Sequence, residues 1–169
     1  MAPEAWLRGA VAGIDPYLMP AAHALVQCRE ELTAAVRDLT KEQLWARPGG
    51  AASVGFHLRH VAGSLERLLS YARGEALTDV QRRAAGTEGT PGDDPDPSAL
   101  LEGVSAAIDA ALARLRETDR ATLLEPRAVG RAGLPSTVLG LIFHAAEHAQ
   151  RHTGQVIVTS KVVRALIEG

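Results

Sequence analysis

Four stretches of the chain repeat apolar residues every three or four positions, the spacing that lays them along one side of an α-helix. In the first, 20–39, the stripe is Ala21, Leu25, Cys28, Leu32, Ala35, Val36 and Leu39, with Arg29, Glu30, Glu31, Arg37 and Asp38 opposite. Pro20 fits its first turn, where a missing N–H leaves nothing unsatisfied. The second stripe, Val54, His57, Leu58, Val61, Leu65, Leu68 and Leu69, follows Ser53, a suitable cap, and stops at Arg73-Gly74. The third runs from Leu100 to Leu115, opened by Asp96-Pro97 and ending near Thr118. The fourth starts behind Ser136, its expected cap, and continues through Val156, Ile157, Val162, Val163 and Leu166.

Between these stretches the pattern lapses. Residues 40–52 leave room for one helical turn, anchored by Trp45, before Pro48-Gly49-Gly50 stops it. Residues 75–97 lose all periodicity, and their GTEGTPGDDPDP passage predicts a solvated loop. Residues 119–135 predict a small extended hairpin around Gly130. Residues 1–18, punctuated by Gly9, Gly13 and Pro16, predict a loosely structured arm that packs Trp6 on the body.

Loop length then constrains topology. A twenty-residue helix is about 30 Å long, and a loop of roughly twenty residues can span it with slack. The 75–97 segment can therefore return along the molecule and let the third helix run parallel to the second. The expected fold is all-α: one domain over 1–169, a four-helix bundle with one long crossover loop between helices two and three.

Composition narrows the class. Of the 169 residues 46% are apolar and 4% aromatic, which favours closely packed helices over a sheet. A net charge of −2 without a Lys/Arg cluster predicts no nucleic-acid partner. The single cysteine, Cys28, excludes an intrachain disulfide and, lying between Leu25 and Leu32, reads as a small buried hydrophobe. With no membrane-length apolar run and no signal-peptide pattern, the expected location is cytoplasmic.

Chemistry concentrates in the fourth stretch, where His144, His148 and His152 recur at steps of four. Each step turns the stripe by roughly 40° and climbs about 6 Å, so three imidazoles line one narrow face. Leucine or alanine would fill such a seam without a polar ring to satisfy, and the pattern points to a metal site. His144 and His152 lie about 12 Å apart along the axis, too far to share one ion. The residues thus leave open 144/148 or 148/152, with His148 in both. His57 and His60, on the second stretch, can supply a further ligand, and three protein ligands leave an open position. His144-Ala-Ala-Glu147-His148 also matches the H-x-x-E-H order, with Glu147 as general base, but the only later carboxylate is Glu168 on the same helix. His23 is expected to stand apart from this group.

Two passages, LTKEQLWARPGGAASVGFHLRHVAGSLERLL at 39–69 and GLIFHAAEHAQRHTGQV at 140–156, resemble the DinB-like (damage-inducible) family of metal-dependent four-helix-bundle proteins. The resemblance implies ligands at His60, His148 and His152, with His60 preferred over His57 because it precedes the small-residue run Val61-Ala62-Gly63-Ser64. His144 and His57 would flank the site, and with Glu147 are the candidate proton carriers; Gln155 would orient His152 or a water. The implied cofactor is a divalent transition metal, Zn or Ni foremost. The resemblance further implies a homodimer and an enzyme acting on a small molecule, including thiol-dependent transfer or isomerisation with a low-molecular-weight thiol. The alternative is a non-catalytic metal- or ligand-binding, stress-associated protein.

Overall fold

The computed structural model describes residues 3–92 and 96–167; Asp93 and Asp94 of the expected solvated loop, and Glu168, lie outside the described residues. Among the described residues the chain is mostly helical. The first predicted helix is α1, Met19–Val36, with Pro20 in its opening turn. A short α2, Lys41–Trp45, follows, started by a reciprocal capping box between Thr40 and Gln43. Ser53 accepts from the Phe56 N–H and opens α3, Val54–Ala72. At its far end Gly74 takes φ +78°, a left-handed turn that glycine adopts without Cβ strain, and the Glu75 N–H reaches back to the Ser70 carbonyl.

The first departure from the sequence expectation lies in 75–97. Thr78 and Gln81 form another capping box and start α4, Asp79–Thr87, so the segment is not an irregular loop throughout. Its polar sequence DVQRRAAGT carries no apolar stripe. What holds it is the buried Gln81, which donates to Glu66 Oε1 at 3.1 Å and Ser70 Oγ at 3.0 Å on α3. Asp96 caps α5, Pro97–Glu117. The expected hairpin forms as β1, Pro126–Val129, antiparallel to β2, Leu134–Thr137. Here the expected cap shifts by one residue. Ser136 and Thr137 both lie in β2, paired with Arg127 and Pro126, and Thr137, directly before α6, Val138–Ile167, accepts on Oγ1 from the Gly140 N–H.

The four long helices pack in pairs, α3 on α6 and α5, and α1 on α6 and α5. Polar contacts fix their directions. Gln150 donates to the Ala24 carbonyl at 2.9 Å and Arg164 to that of Ala35 at 3.0 Å, so α6 runs alongside α1 in the same sense. Arg29 pairs with Asp109, and Arg116 donates to the Ala12 carbonyl ahead of α1, so α5 runs opposite to α1. Leu25, Leu32, Leu58, Leu65, Ile108 and Ile142 are among the fully enclosed side chains between them.

Trp6 does not pack on the body: it is 62% exposed and its indole donates to Glu4. The N-terminal arm is held instead by buried Ala5, whose N–H donates to Gln27, and by Ile14 and Leu18. Val162 and Leu166, expected on the apolar stripe of the last helix, are also exposed. Trp45 packs its ring against α3 at Gly55, where a Cβ would come within 2.8 Å of it, and Arg59 lies over its face. His23 stands apart from the other histidines, bonded to the Gly9 carbonyl.

Cys28 is fully buried, and desolvation pushes its thiol up to about 11. Nucleophilic attack needs the thiolate. Native protein is therefore expected to resist alkylation near neutral pH and to react with one equivalent only after denaturation; mass spectrometry after timed labelling checks this, and rapid native labelling would contradict it.

Candidate metal centre

Two helices build the site. On α3, His57 and His60 stand one turn apart, and both turn towards α6. On α6, His148 and His152 face them from the opposite direction of travel: His57 meets His152 and His60 meets His148. Antiparallel packing of α3 and α6 thus converts two local repeats, 95 and 88 residues apart in sequence, into one cluster.

His60, His148 and His152 each offer a ring nitrogen, and these atoms all lie within 4.8 Å of one another. Their ring centroids are 4.5 Å apart for 60/152 and for 148/152, and 5.1 Å for 60/148. Ligands at about 2.0–2.1 Å from a tetrahedral ion stand about 3.3 Å from each other, so small side-chain adjustments suffice to close the set. The three residues fit a divalent transition ion by donor chemistry as well, because neutral imidazole suits such ions and not Mg or Ca. This is the 148/152 pair, with His60 as the third member. His144 lies outside it, its ring 5.4 Å from that of His148 and its side chain half-exposed.

The surroundings of each ring differ. The Nδ1–H of His60 donates to Glu88 Oε2 at 2.6 Å, and Nε2 faces His148 Nε2 at 2.9 Å. Phe56 stacks on the same ring, at 5.3 Å and 16° between planes. His152 Nδ1 meets His57 Nδ1 at 2.8 Å, one donating and the other accepting. His148 Nδ1 is buried with no hydrogen-bond partner, so that ring is oriented by packing and by its Nε2 contact with His60. Gln155 is exposed and makes no hydrogen bond to His152 among the described residues. Glu147 accepts from Arg151 and faces His144 Nδ1 at 3.3 Å; the Arg151 bond holds its carboxyl below the usual range.

Glu88 escaped the sequence reading. It stands at the end of α4 and is 6% exposed although it lies in a stretch rich in Gly, Pro and Asp. Burial alone would raise its pKa, but the hydrogen bonds from His60 and Arg67 outweigh that and lower it. The T-x-x-Q order of Thr78 to Gln81 is a local signal that a helix starts there, but it does not show that the helix leads back to α3.

The profile of the DinB superfamily matches residues 24–156. The chain belongs to the DinB superfamily. The matched span contains His57, His60, Glu88, His144, His148 and His152. Among solved structures, this DinB chain is similar to a conserved protein from Enterococcus faecalis, with a TM-score of 0.68 and 17% identity over 86% of this chain and 96% of that one. That likeness concerns the fold. No curated protein matches the DinB chain.

In metal-free protein the imidazoles carry a pH dependence. Desolvation, then the charge of His60, lowers both His57 and His152 from 6.5 to about 4, and desolvation lowers His148 too. The unfolded chain therefore binds protons between pH 6.5 and about 4 that the folded chain refuses. Stability fully present above about pH 6.5 is lost as pH falls through that window. The melting temperature of chelator-treated protein is expected to drop from about pH 7 to about pH 4.5 more steeply than that of a His57→Phe variant; parallel profiles would contradict it.

Proposed function

We propose that this DinB-superfamily protein binds a divalent transition metal, Zn or Ni, through His60, His148 and His152 and acts on a small molecule as a metal-dependent enzyme. The observation that carries the reading is the convergence of three imidazole nitrogens, one of them backed by a buried carboxylate. When bound, such an ion supplies Lewis acidity and an open coordination position. The chain supplies the rest. Glu88 and His57 orient two of the rings, Phe56 shields one side, and His144 and Glu147 stand on the exposed side, where they can hold or move a proton at a substrate. Thiol-dependent transfer or isomerisation is the reaction class we favour, because a low-molecular-weight thiolate competes well for an ion of this kind.

The same reading takes the chain as one domain over 1–169, a four-helix bundle crossing over between α3 and α5. It is supported by the cavity walls those helices share: Leu58 and Ala62 lie beside Ala99, Leu100 and Gly103, and Arg73 lies beside Arg114. It also takes the protein as a cytoplasmic homodimer. Among the described residues no helix is long and apolar enough to cross a membrane.

A second reading, an ion that only staples α3 to α6, draws on the fact that the triad bridges those two helices. Metal removal separates the two. The rings already hydrogen-bond in the metal-free arrangement and the core is apolar, so the stripped protein should stay folded. Its melting temperature should fall only by the linkage of ion binding and recover on refilling with Zn2+. Loss of helical circular dichroism at room temperature on chelation would favour the staple.

A further inference from the structure

The crossover segment makes contacts with the candidate centre that its polar sequence does not explain. Glu88 is buried, yet it is a carboxylate at the end of a solvent-facing helix. It bridges two residues of α3, accepting from Arg67 Nη1 on Oε1 at 2.8 Å and from His60 Nδ1 on Oε2 at 2.6 Å. Gly63, between them on the same helix, leaves the space: a Cβ there would come within 2.6 Å of both Arg67 Nη1 and Glu88 Oε1. Arg59, one turn earlier, donates to the carbonyls of Thr87, Thr90 and Pro91 and so fixes the chain on either side of Glu88. Three α3 side chains and a missing fourth thus aim one carboxylate at one nitrogen.

We propose that Glu88 is the positioning residue of the metal centre, holding His60 in the tautomer whose Nε2 is bare and turned towards His148. This deepens the proposed function and rests on its assignment of His60 as a ligand. The physical basis is donor counting. An ionised carboxylate only accepts, so the neutral His60 ring must carry its proton on Nδ1, and Nε2 keeps its lone pair. A carboxylate behind a metal-bound histidine fixes its ring and raises its basicity. Arg67 in turn only donates, which occupies the other oxygen and prevents Glu88 from rotating away. The link also ties the order of α4 to the ion, since the residue that completes the centre sits at the end of that helix.

Glu88→Gln tests the assignment with nearly constant shape. The substituted amide has one oxygen, and Arg67 requires it; the NH2 group then faces His60 Nδ1, which must accept, so the proton moves to Nε2, the atom meant for the ion. Nitrogen-15 NMR of the metal-free protein reads this directly. We expect His60 in the Nδ1–H form in wild type and the Nε2–H form in Glu88→Gln, a change that a merely structural role would not produce. Competition with a chromophoric chelator for Zn2+ should show affinity lowered about 10–100-fold. Gly63→Ala, which leaves every candidate ligand and Glu88 in place but intrudes on the Arg67–Glu88 pair, should lower affinity in the same direction and serves if Glu88→Gln does not fold. Wild-type binding that is lost in His148→Ala but unchanged in both other variants would overturn the role of Glu88 and leave the metal site standing. Absence of Zn2+ binding by wild type would overturn both.

Discussion

Replacing His148 by alanine is expected to take the protein from about one tightly held transition-metal ion per chain to almost none, with affinity down by more than about 100-fold. Removing an outer partner of a ligand already costs about 10–100-fold, and His148 is itself a candidate ligand. It is the middle member of the α6 stripe, with its ring 5.1 Å from that of His60 and 4.5 Å from that of His152. Without it the two remaining rings offer an ion only two imidazoles, and His144 sits beyond the vacated place, half-exposed and paired with Glu147. Elemental analysis of the two purified proteins reads the result. His144→Ala, by contrast, should retain the ion, because His144 lies outside the triad; equal metal content in wild type and His148→Ala would refute the ligand assignment.

The second large effect concerns the scaffold. Leu32→Ala should destabilise the protein by about 2–5 kcal/mol, the range for deleting most of a fully buried leucine and leaving a partly relaxed cavity. Leu32 is fully enclosed on α1, in line with Cys28 and Val36 and on a helix that supplies none of the candidate ligands. Urea unfolding monitored by circular dichroism measures the loss, which should appear as a lower midpoint with little change in slope. Zn2+ stoichiometry of the variant, measured cold where it remains folded, should match wild type. A loss of metal together with stability would mean that the site depends on the whole core and not on the α3–α6 pair alone.

These effects bear on how far the chain could be read from its residues alone. The long helices were legible because burial of one face imposes a period, and Leu25, Cys28, Leu32 and Val36, or Val54, Leu58, Val61 and Leu65, display it. The candidate triad was legible in part for the same reason. A four-residue step puts His148 and His152 on one face, while the choice of His60 over His57 came from the family resemblance. Both α3 histidines in fact turn towards α6, so spacing alone would not have separated them. What stayed hidden was held by polar contacts. The helix α4 has no apolar face to announce it; Val80 is 67% exposed, and the buried anchor is the amide of Gln81. Glu88 depends on His60 and Arg67, 28 and 21 residues away, and nothing local distinguishes it from a solvated glutamate. The cap of α6 is Thr137 and not Ser136 because both residues belong to β2 and the helix begins only at Val138, one residue later than a Ser136 cap implies.

The crossover segment therefore does more than connect. It carries a helix whose first turn is pinned by Gln81 and whose C-terminal cap, Glu88, reaches the candidate centre, while Arg59 clamps the carbonyls beyond. A polar segment of this kind can be ordered by a few buried hydrogen bonds where an apolar stripe is missing, since leaving those groups unpaired would cost about 1–3 kcal/mol each.

The most direct measurement is anomalous diffraction from crystals of the wild-type protein grown with Zn2+ and, separately, with Ni2+, scanned across each metal edge. The expected result is a single strong anomalous peak between α3 and α6, about 2.0–2.1 Å from one ring nitrogen of each of His60, His148 and His152, with Glu88 still on His60 Nδ1. A peak bound by a different set of residues, or no peak with His60 and His148 still hydrogen-bonded to each other, would contradict it.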